Sequence, residues 1–281
     1  FVFFKLMYKR FDSWSLSIIG TIFLILSPRI FANSFYNNKD IIFMSLFIIG
    51  LYTAINFLEN KNIRSAVIFA LISSLMINLR ILGLFLPMLI VSFYIINLFS
   101  NKNNVKKALV PLVFFLILTP IFLILFWPYL WEDPIVHFIN IIKNLSAHNL
   151  QIYNYYLGHY IFSENPPWHY SLIWILVSTP IFYTVLFIIG FLFVFQRALK
   201  IFLKKNSTSY IKFWNVKEEL YDLIFLLTFL IPVLISVYFG SISYDGWRHL
   251  YFIYPSFLLL SILGLQLIKV SLFRGKKKYL F

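Results

Sequence analysis

Long apolar runs, separated by short polar breaks, constrain the fold of this chain more than any other feature of its sequence. A helix of roughly 20 apolar residues spans the hydrocarbon core of a bilayer. Within lipid, a spanning segment must satisfy its own backbone hydrogen bonds, so it is either a helix or part of a closed barrel. A barrel strand alternates with a period of two, and the run LVPLVFFLILTPIFLILF at 109–126 does not. The sequence therefore predicts an all-α, polytopic transmembrane helical bundle.

The pattern predicts about eight spans. We place them at residues 14–28, 41–58, 65–79, 81–99, 108–127, 171–195, 221–240 and 250–269. Residues 1–281 are expected to form a single transmembrane domain with a large outer loop near 128–170.

Composition excludes a soluble domain. Hydrophobic residues make up 61% of the chain and charged residues only 12%, so a soluble fold would expose more apolar surface than water tolerates. The chain has no cysteine, which excludes a disulfide framework, a thiolate metal site and a cysteine nucleophile.

The basic residues indicate the orientation of the chain. Most of the 24 Lys and Arg residues fall in alternate breaks, at 1–13, 59–64, 101–107, 196–220 and from Lys269 onward. The positive-inside rule predicts that these breaks, and both ends of the fragment, are cytoplasmic. The expected location is a bacterial inner or plasma membrane. The formal charge of +14 then serves as an anchor on anionic membrane lipids, and no nucleic-acid partner is expected.

The acidic residues and histidines differ from the lysines in their distribution, because many of them lie in the breaks predicted to be outside. Half of the acidic residues lie there, and so do all five histidines. The acidic residues are Asp40, Glu132, Asp133, Glu164 and Asp245, and the histidines include His159 and His249. This distribution suggests that binding or chemistry takes place on the outer face.

The first candidate segment is SPRIFANSFYNNKD, residues 27–40. Pro28 is expected to end or kink the preceding helix. Arg29 and Asp40 flank an amide-rich turn that contains Asn37, and together they offer an anion ligand, a carboxylate and several hydrogen-bond donors. The alternative is an ordinary interfacial loop in which Arg29 reaches the lipid headgroups.

Arg80 lies in NLRILG, where two predicted spans meet with almost no loop. An arginine near membrane depth is costly and usually has a partner, and its guanidinium group suits phosphate oxygens. It is a candidate phosphate contact. The alternative is a charge that marks a helical hairpin at the headgroup level.

The segment WPYLWEDP places Glu132 and Asp133 at an aromatic interface. Carboxylates often serve in acid–base catalysis, but such a pair before proline is also common at a helix boundary. His159 and Glu164 follow in the same predicted loop and could line a substrate cleft or simply face solvent. Their spacing matches no metal-binding pattern, so no metal is expected.

The last candidate segment, SYDGWRHLYFIYP, places Asp245, Arg248 and His249 in one turn, where Gly246 permits a tight bend. The triplet could bind an anion beside a carboxylate. Alternatively, Asp245 and Arg248 form a structural ion pair.

Taken together, these segments resemble the protein-mannosyltransferase-like membrane glycosyltransferases (glycosyltransferase family 39, GT-C fold), which include the aminoarabinose transferases. The resemblance rests on SPRIFANSFYNNKDIIFM with Asp40, on the Arg80-Ile-Leu-Gly segment, and on WPYLWEDP, ENPPWHY and YDGWRH. It implies an enzyme that moves a sugar from a polyprenyl-phosphate carrier to an acceptor hydroxyl, with inversion and without a cofactor.

The resemblance also implies roles for individual residues. Arg29, Arg80 and Arg248 would stabilise the departing phosphate, and Asp40 would orient the acceptor or an arginine. The family carries its general base on an acidic loop after the first helix. No such loop is present here, so we expect the fragment to be incomplete at its N-terminus, with the base ahead of Phe1.

Two other functions compete with a transferase. A transporter or lipid flippase would account for the prolines in or beside predicted spans, but we find no paired internal repeat and no acidic residue in the middle of a span. These prolines are Pro87, Pro111, Pro120, Pro180 and Pro232. A non-catalytic assembly subunit is the third possibility.

Overall fold

The computed structural model describes residues 1–100, 105–144, 152–163, 166–203, 214, 216–239 and 245–273. Almost all of its regular structure is helical. The helices are α1 (Val2–Phe11), α2 (Trp14–Ile25), α3 (Pro28–Asn33), α4 (Asp40–Asn60), α5 (Ile63–Leu79), α6 (Phe85–Ser100), α7 (Val105–Phe126), α8 (Pro134–Asn144), α9 (Tyr170–Ser178), α10 (Ile181–Leu203), α11 (Lys217–Tyr238) and α12 (Tyr254–Phe273). Short 3₁₀ turns precede α6, at Ile81–Leu84, and α12, at Arg248–Ile253.

Six helical segments among the described residues are long and apolar enough to cross a membrane. They are Asp40–Asn60, Ile81–Phe99, Val105–Phe126, Ile181–Ile201, Lys217–Tyr238 and Arg248–Leu272. The prediction of a helical membrane protein is confirmed by the length and composition of these helices.

Two of the predicted spans form shorter helices. The run at 14–28 gives α2, which Ser13 caps through its side chain and which ends before Pro28 begins α3. The run at 65–79 gives α5, which Asn62 caps and which ends where Arg80 is extended. Capping residues and proline therefore set the lengths of these helices.

The predicted continuous span at 171–195 is wrong, because the structure divides it. Helix α9 ends at Ser178 and α10 begins at Ile181. Pro180 has no backbone N–H to donate, and it disfavours a helical conformation in the residue before it, Thr179. Thr179 is extended accordingly. The membrane-length helix here is the one that follows the proline.

The segment at 128–170, predicted as a loop, contains regular structure. It begins with a 3₁₀ turn at Pro128–Leu130 and continues into α8. Strands β1 (Tyr153–Tyr156) and β2 (His159–Phe162) then form an antiparallel hairpin. Leu157 and Gly158, both with positive φ, make the two-residue turn that such a hairpin favours.

The chain forms two compact units. Of the described residues, the first unit comprises 1–41, 152–163, 166–203, 214, 216–239 and 245–273, and the second comprises 42–100 and 105–144. In the first unit, α12 packs against α2, α10 and α11. Where α10 and α12 cross, Gly190 faces the carbonyl oxygen of Leu260 and Gly264 faces that of Leu186. Small residues at such a crossing let two membrane helices approach closely.

A buried carboxylate also joins helices of the first unit. Asp222 of α11 accepts hydrogen bonds from Arg10 of α1 at 2.8 Å and from Arg197 of α10 at 2.9 Å. Its side chain is only 2% exposed. A charge buried to this extent is tolerated only when it is paired, so this cluster fixes three helices against one another.

The second unit is centred on aromatic rings. Phe57 of α4 stacks on Phe69 of α5 and on Tyr94 of α6, and Phe69 stacks on Phe115 of α7 with ring centroids 4.9 Å apart. The Tyr94 hydroxyl donates a hydrogen bond to the carbonyl oxygen of Ala108. Aromatic packing of this kind holds the four helices together.

We expect Gly264→Ala to destabilise the first unit by about 1–3 kcal/mol, the usual range for overpacking. A Cβ at this position would lie 2.0 Å from the carbonyl oxygen of Leu186, so the two helix backbones would have to separate. Thermal unfolding of the detergent-purified protein measures the effect. Ile188→Ala, on an exposed face of α10, is the control, and an equal loss in both variants would contradict the prediction.

Candidate functional site

The first unit brings four of the predicted charged residues into one chain of ion pairs. Nη2 of Arg29 lies 3.3 Å from Oδ1 of Asp245. Nη1 of Arg248 lies 3.5 Å from Oδ2 of the same aspartate, and Nε of Arg248 lies 3.8 Å from Oδ2 of Asp40. Positive and negative side chains therefore alternate along this series of ion pairs, and each aspartate lies beside at least one arginine.

Arg29 is held by several contacts. Pro28 and Arg29 begin α3 immediately after Ser27. From this position the side chain of Arg29 reaches the turn at 245–251. Its Nε donates a hydrogen bond to the hydroxyl of Tyr251 at 2.8 Å, and its guanidinium lies 5.5 Å from the ring centroid of Trp174. Nη2 also donates to the backbone carbonyl of Asp245. The guanidinium group is thus fixed in position.

The amide-rich turn positions Asp40. Nδ2 of Asn37 donates to Oδ2 of Asp40 at 2.9 Å, and Oδ1 of Asn37 accepts from the backbone N–H of Asp40. Asn33 lies between Asn37 and the Arg29 carbonyl, with a hydrogen bond to each. The turn therefore links Arg29 to Asp40 through side-chain amides.

The turn at Asp245 and Gly246 depends on backbone conformation. Both residues have positive φ, 56° for Asp245 and 70° for Gly246, a region that glycine adopts readily and aspartate tolerates. A Cβ on Gly246 would lie 2.7 Å from Nη2 of Arg29. The bend expected from the sequence is confirmed, and glycine is also needed because the arginine packs against it.

Residues of the hairpin and of α9 support this turn. Oδ1 of Asn154 accepts a hydrogen bond from the backbone N–H of Asp245. The hydroxyl of Tyr170 accepts one from the backbone N–H of Gly246 at 3.2 Å. Burial raises the pKa of Tyr170, so its hydroxyl remains protonated at neutral pH.

The two aspartates differ in exposure. The side chain of Asp40 is 5% exposed, whereas that of Asp245 is 51% exposed. Asp40 is therefore suited to hold Arg248 in place, and Asp245 faces solvent beside both arginines.

An open groove of about 520 Å³ lies next to this cluster. Its walls come from α3 and from the break between α9 and α10. The described residues that line it are Pro28, Arg29, Ala32, Asn33, Tyr36, Val177, Ser178, Thr179 and Pro180. Arg29 is the one charged side chain among them, so the groove combines an apolar surface with a single positive charge.

The remaining predicted residues of the first unit are more peripheral. His249 follows Arg248 in the 3₁₀ turn and is half-buried. His159 is exposed in β2, where it faces Tyr156 across the hairpin. Glu164 lies outside the described residues.

Three predicted residues belong to the second unit. Arg80 is extended at the junction of α5 with the following 3₁₀ turn. Asp133 accepts a hydrogen bond from the backbone N–H of Val136, and Glu132 beside it is exposed. The Asp133 contact caps the start of α8, which agrees with the alternative of a helix boundary.

Sequence reasoning missed several side chains that support the site. They are Asn154, Tyr170, Trp174 and, as a ligand of Arg29, Tyr251. The sequence offered no signal that would separate these aromatic residues from an ordinary interfacial belt. Their roles depend on contacts between distant segments.

No protein-family model, curated protein or solved structure matches this chain. Its function is therefore inferred from the geometry of the site.

We expect Asp40→Asn to destabilise the protein by about 1–3 kcal/mol, because a buried charge-assisted contact is lost. The matched change Asp245→Asn should cost less than about 1 kcal/mol, because that carboxylate is half-exposed. Thermal unfolding in detergent compares the two variants. Equal losses would show that Asp40 is not the structural member of the pair.

Proposed function

We propose that this protein is a membrane glycosyltransferase of the GT-C type that moves a sugar from a polyprenyl-phosphate carrier to an acceptor hydroxyl on the outer face of the membrane. The observation that carries the proposal is Arg29, a fixed arginine and the one charged side chain among the described residues that line a groove in a helical membrane protein. The sequence resemblance described above supports the same function.

A polyprenyl phosphate has the chemistry that this groove offers. Its isoprenoid chain would contact the apolar part of the wall, which includes Ala32, Val177 and Pro180. Its phosphate would lie at Arg29, because a guanidinium group presents several donors to phosphate oxygens. Asn33, whose Nδ2 donates one of its two protons to the Arg29 carbonyl, would supply a neutral hydrogen bond nearby.

The ion-pair chain would keep the arginines ready for the charge that develops during transfer. Tyr251 and Asp245 hold Arg29, and Asp40 with Asp245 holds Arg248. Catalysis gains most from charged groups that are already oriented where negative charge appears. In this proposal Asp40 and Asp245 are positioning residues, and Arg29 and Arg248 contact the phosphate.

The reaction is a displacement at the anomeric carbon. The acceptor oxygen forms a bond to that carbon, and the bond between the carbon and the phosphate oxygen breaks. The bonding electrons leave with the phosphate, whose charge the arginines stabilise. A carboxylate takes the proton of the acceptor hydroxyl. The sugar and the acceptor, whether protein, lipid or glycan, are set by contacts beyond this cluster.

A transporter or lipid flippase is the competing proposal. It is favoured by the helix break at Pro180 and by Pro232 within α11, since broken helices often form transporter sites. Asp222 lies in the same helix, but it is already paired with Arg10 and Arg197. Transfer and translocation give different products, so one assay separates them.

We expect Arg29→Ala to reduce sugar transfer about 100-fold or more, the size of effect seen when one stabilising donor is removed. Membranes that contain the full-length protein are incubated with radiolabelled polyprenyl-phosphate hexoses, and label in the acceptor fraction is counted. Arg29→Lys should recover only part of the activity, because an ammonium group lacks the planar fork.

Asp12, an exposed residue that follows α1, provides the control. Asp12→Asn should leave transfer unchanged. Unaltered transfer in folded Arg29→Ala protein would refute the phosphate role. Movement of the labelled lipid between leaflets, with no label in any acceptor, would favour the flippase.

Arg80 is tested separately, because it belongs to the second unit. If it contacts the carrier phosphate, Arg80→Ala should reduce transfer strongly while the thermal unfolding temperature stays close to that of the wild type. Wild-type transfer in this variant would show that Arg80 does not contact the carrier, and would leave the role of Arg29 intact.

A further inference from the structure

The hairpin of β1 and β2 has one face made entirely of aromatic rings. Side chains alternate between the two faces of a strand, and the cross-strand pairs Tyr153–Phe162 and Tyr155–Tyr160 share the outer one. These rings are exposed to the extent of 60%, 44%, 63% and 74%, respectively. We name this surface, Tyr153, Tyr155, Tyr160 and Phe162, the aromatic platform.

The rings of the platform are arranged in pairs. The centroids of Tyr153 and Phe162 are 4.2 Å apart, and those of Tyr155 and Tyr160 are 5.3 Å apart in an edge-on arrangement. Successive pairs on one face of a strand are separated by about 6.6 Å. The platform is therefore a continuous aromatic surface in which the two rings of each pair are in contact.

The opposite face of the hairpin attaches it to the charged cluster. Asn154 and Tyr156 are buried on that face. Asn154 accepts a hydrogen bond from the backbone N–H of Asp245, the residue that holds Arg29. The Tyr156 hydroxyl forms a 2.6 Å hydrogen bond with Nδ1 of His169. The platform is thus fixed to the turn that forms the proposed transfer site.

The composition of the platform indicates which ligand it suits. The strand residues that the structure describes on this face include no aliphatic side chain and no charge, and all of the rings except that of Phe162 have a hydroxyl group. Insertion into lipid would bury these hydroxyl groups without partners, which is costly. A sugar ring has an apolar face of C–H groups and a rim of hydroxyl groups, so it can stack on the phenol rings and hydrogen-bond with their oxygens.

We propose that the aromatic platform binds carbohydrate and tethers a glycan acceptor near the charged cluster. This inference rests on the proposed transferase function and names the acceptor class of that site. The hydrogen bond between Asn154 and Asp245 fixes the hairpin to the charged turn, and the platform lies on the other face of that hairpin. A glycan bound on the platform would therefore extend past the edge of the hairpin to reach the arginines that receive the departing phosphate.

The binding test uses the protein in lipid nanodiscs on an array of oligosaccharides built from hexoses and N-acetylhexosamines. We expect binding to at least one group of these glycans. Replacement of both Tyr155 and Tyr160 by Ala should weaken it about tenfold or more, because two ring contacts are lost. Replacement of both by Phe should retain part of the binding, because the rings remain. Tyr129→Ala, which removes an exposed tyrosine of the second unit, is the control.

A second measurement distinguishes sugar binding from contact with the bilayer. The protein has no cysteine, so Tyr160→Cys can carry a single spin label. If the platform faces water, a water-soluble paramagnetic reagent will relax the label more efficiently than oxygen does. Greater relaxation by oxygen would place the platform in lipid and overturn the proposal.

The two proposals fail in different ways. Arg29→Ala should lose transfer but keep glycan binding. Glycan binding in a full-length wild-type protein that transfers no sugar would refute the transferase and retain the platform as a binding surface. No array binding by the wild type, or unchanged binding after loss of both tyrosines, would overturn the platform whatever the transfer assay shows.

Discussion

A charge that is buried beside membrane helices must have a partner of opposite sign, and this requirement organises the first unit. Asp222 joins α1, α10 and α11 through Arg10 and Arg197. Asp40 is nearly as buried and lies beside Arg248. Each pairing draws together segments that are far apart in sequence, because an unpaired carboxylate at either place would cost several kcal/mol. The charged turn is held through the second of these pairs, because Arg248 also lies beside Asp245.

The ion pairs of Asp245 differ from those two buried pairings, because they are open to solvent. Asp245 is half-exposed and contacts both Arg29 and Arg248, while Gly246 leaves room for the guanidinium group of Arg29. A structural cluster alone would gain little from exposed ion pairs. An oriented arginine beside an open groove is better suited to an anionic ligand. In the proposed function that ligand is a lipid-linked phosphate, whose apolar tail would lie along the rest of the groove.

Part of the site could be predicted from sequence because its residues fall in two short segments. The spacing of Arg29, Asn37 and Asp40 placed an anion ligand and a carboxylate on one turn, and Gly246 marked a bend beside Asp245 and Arg248. The hydrogen bonds from Arg29 to Tyr251 and from Asp245 to Asn154 join residues 222 and 91 positions apart. No local pattern specifies such pairs. Likewise, the tyrosine-rich segment at 153–162 was predicted as part of a loop, and a hairpin with one aromatic face was not expected.

The sequence by itself determined that this chain is a helical membrane protein, because apolar runs of this length leave the backbone no other means of satisfying its hydrogen bonds in lipid. Proline and capping residues, also readable in the sequence, fix where individual helices start and stop. Only the tertiary structure decided that Arg29 and Arg248 share Asp245, that Gly190 and Gly264 allow α10 and α12 to touch, and that the hairpin is fixed to the charged turn. Each of these depends on the close approach of distant segments, and packing in three dimensions sets that approach.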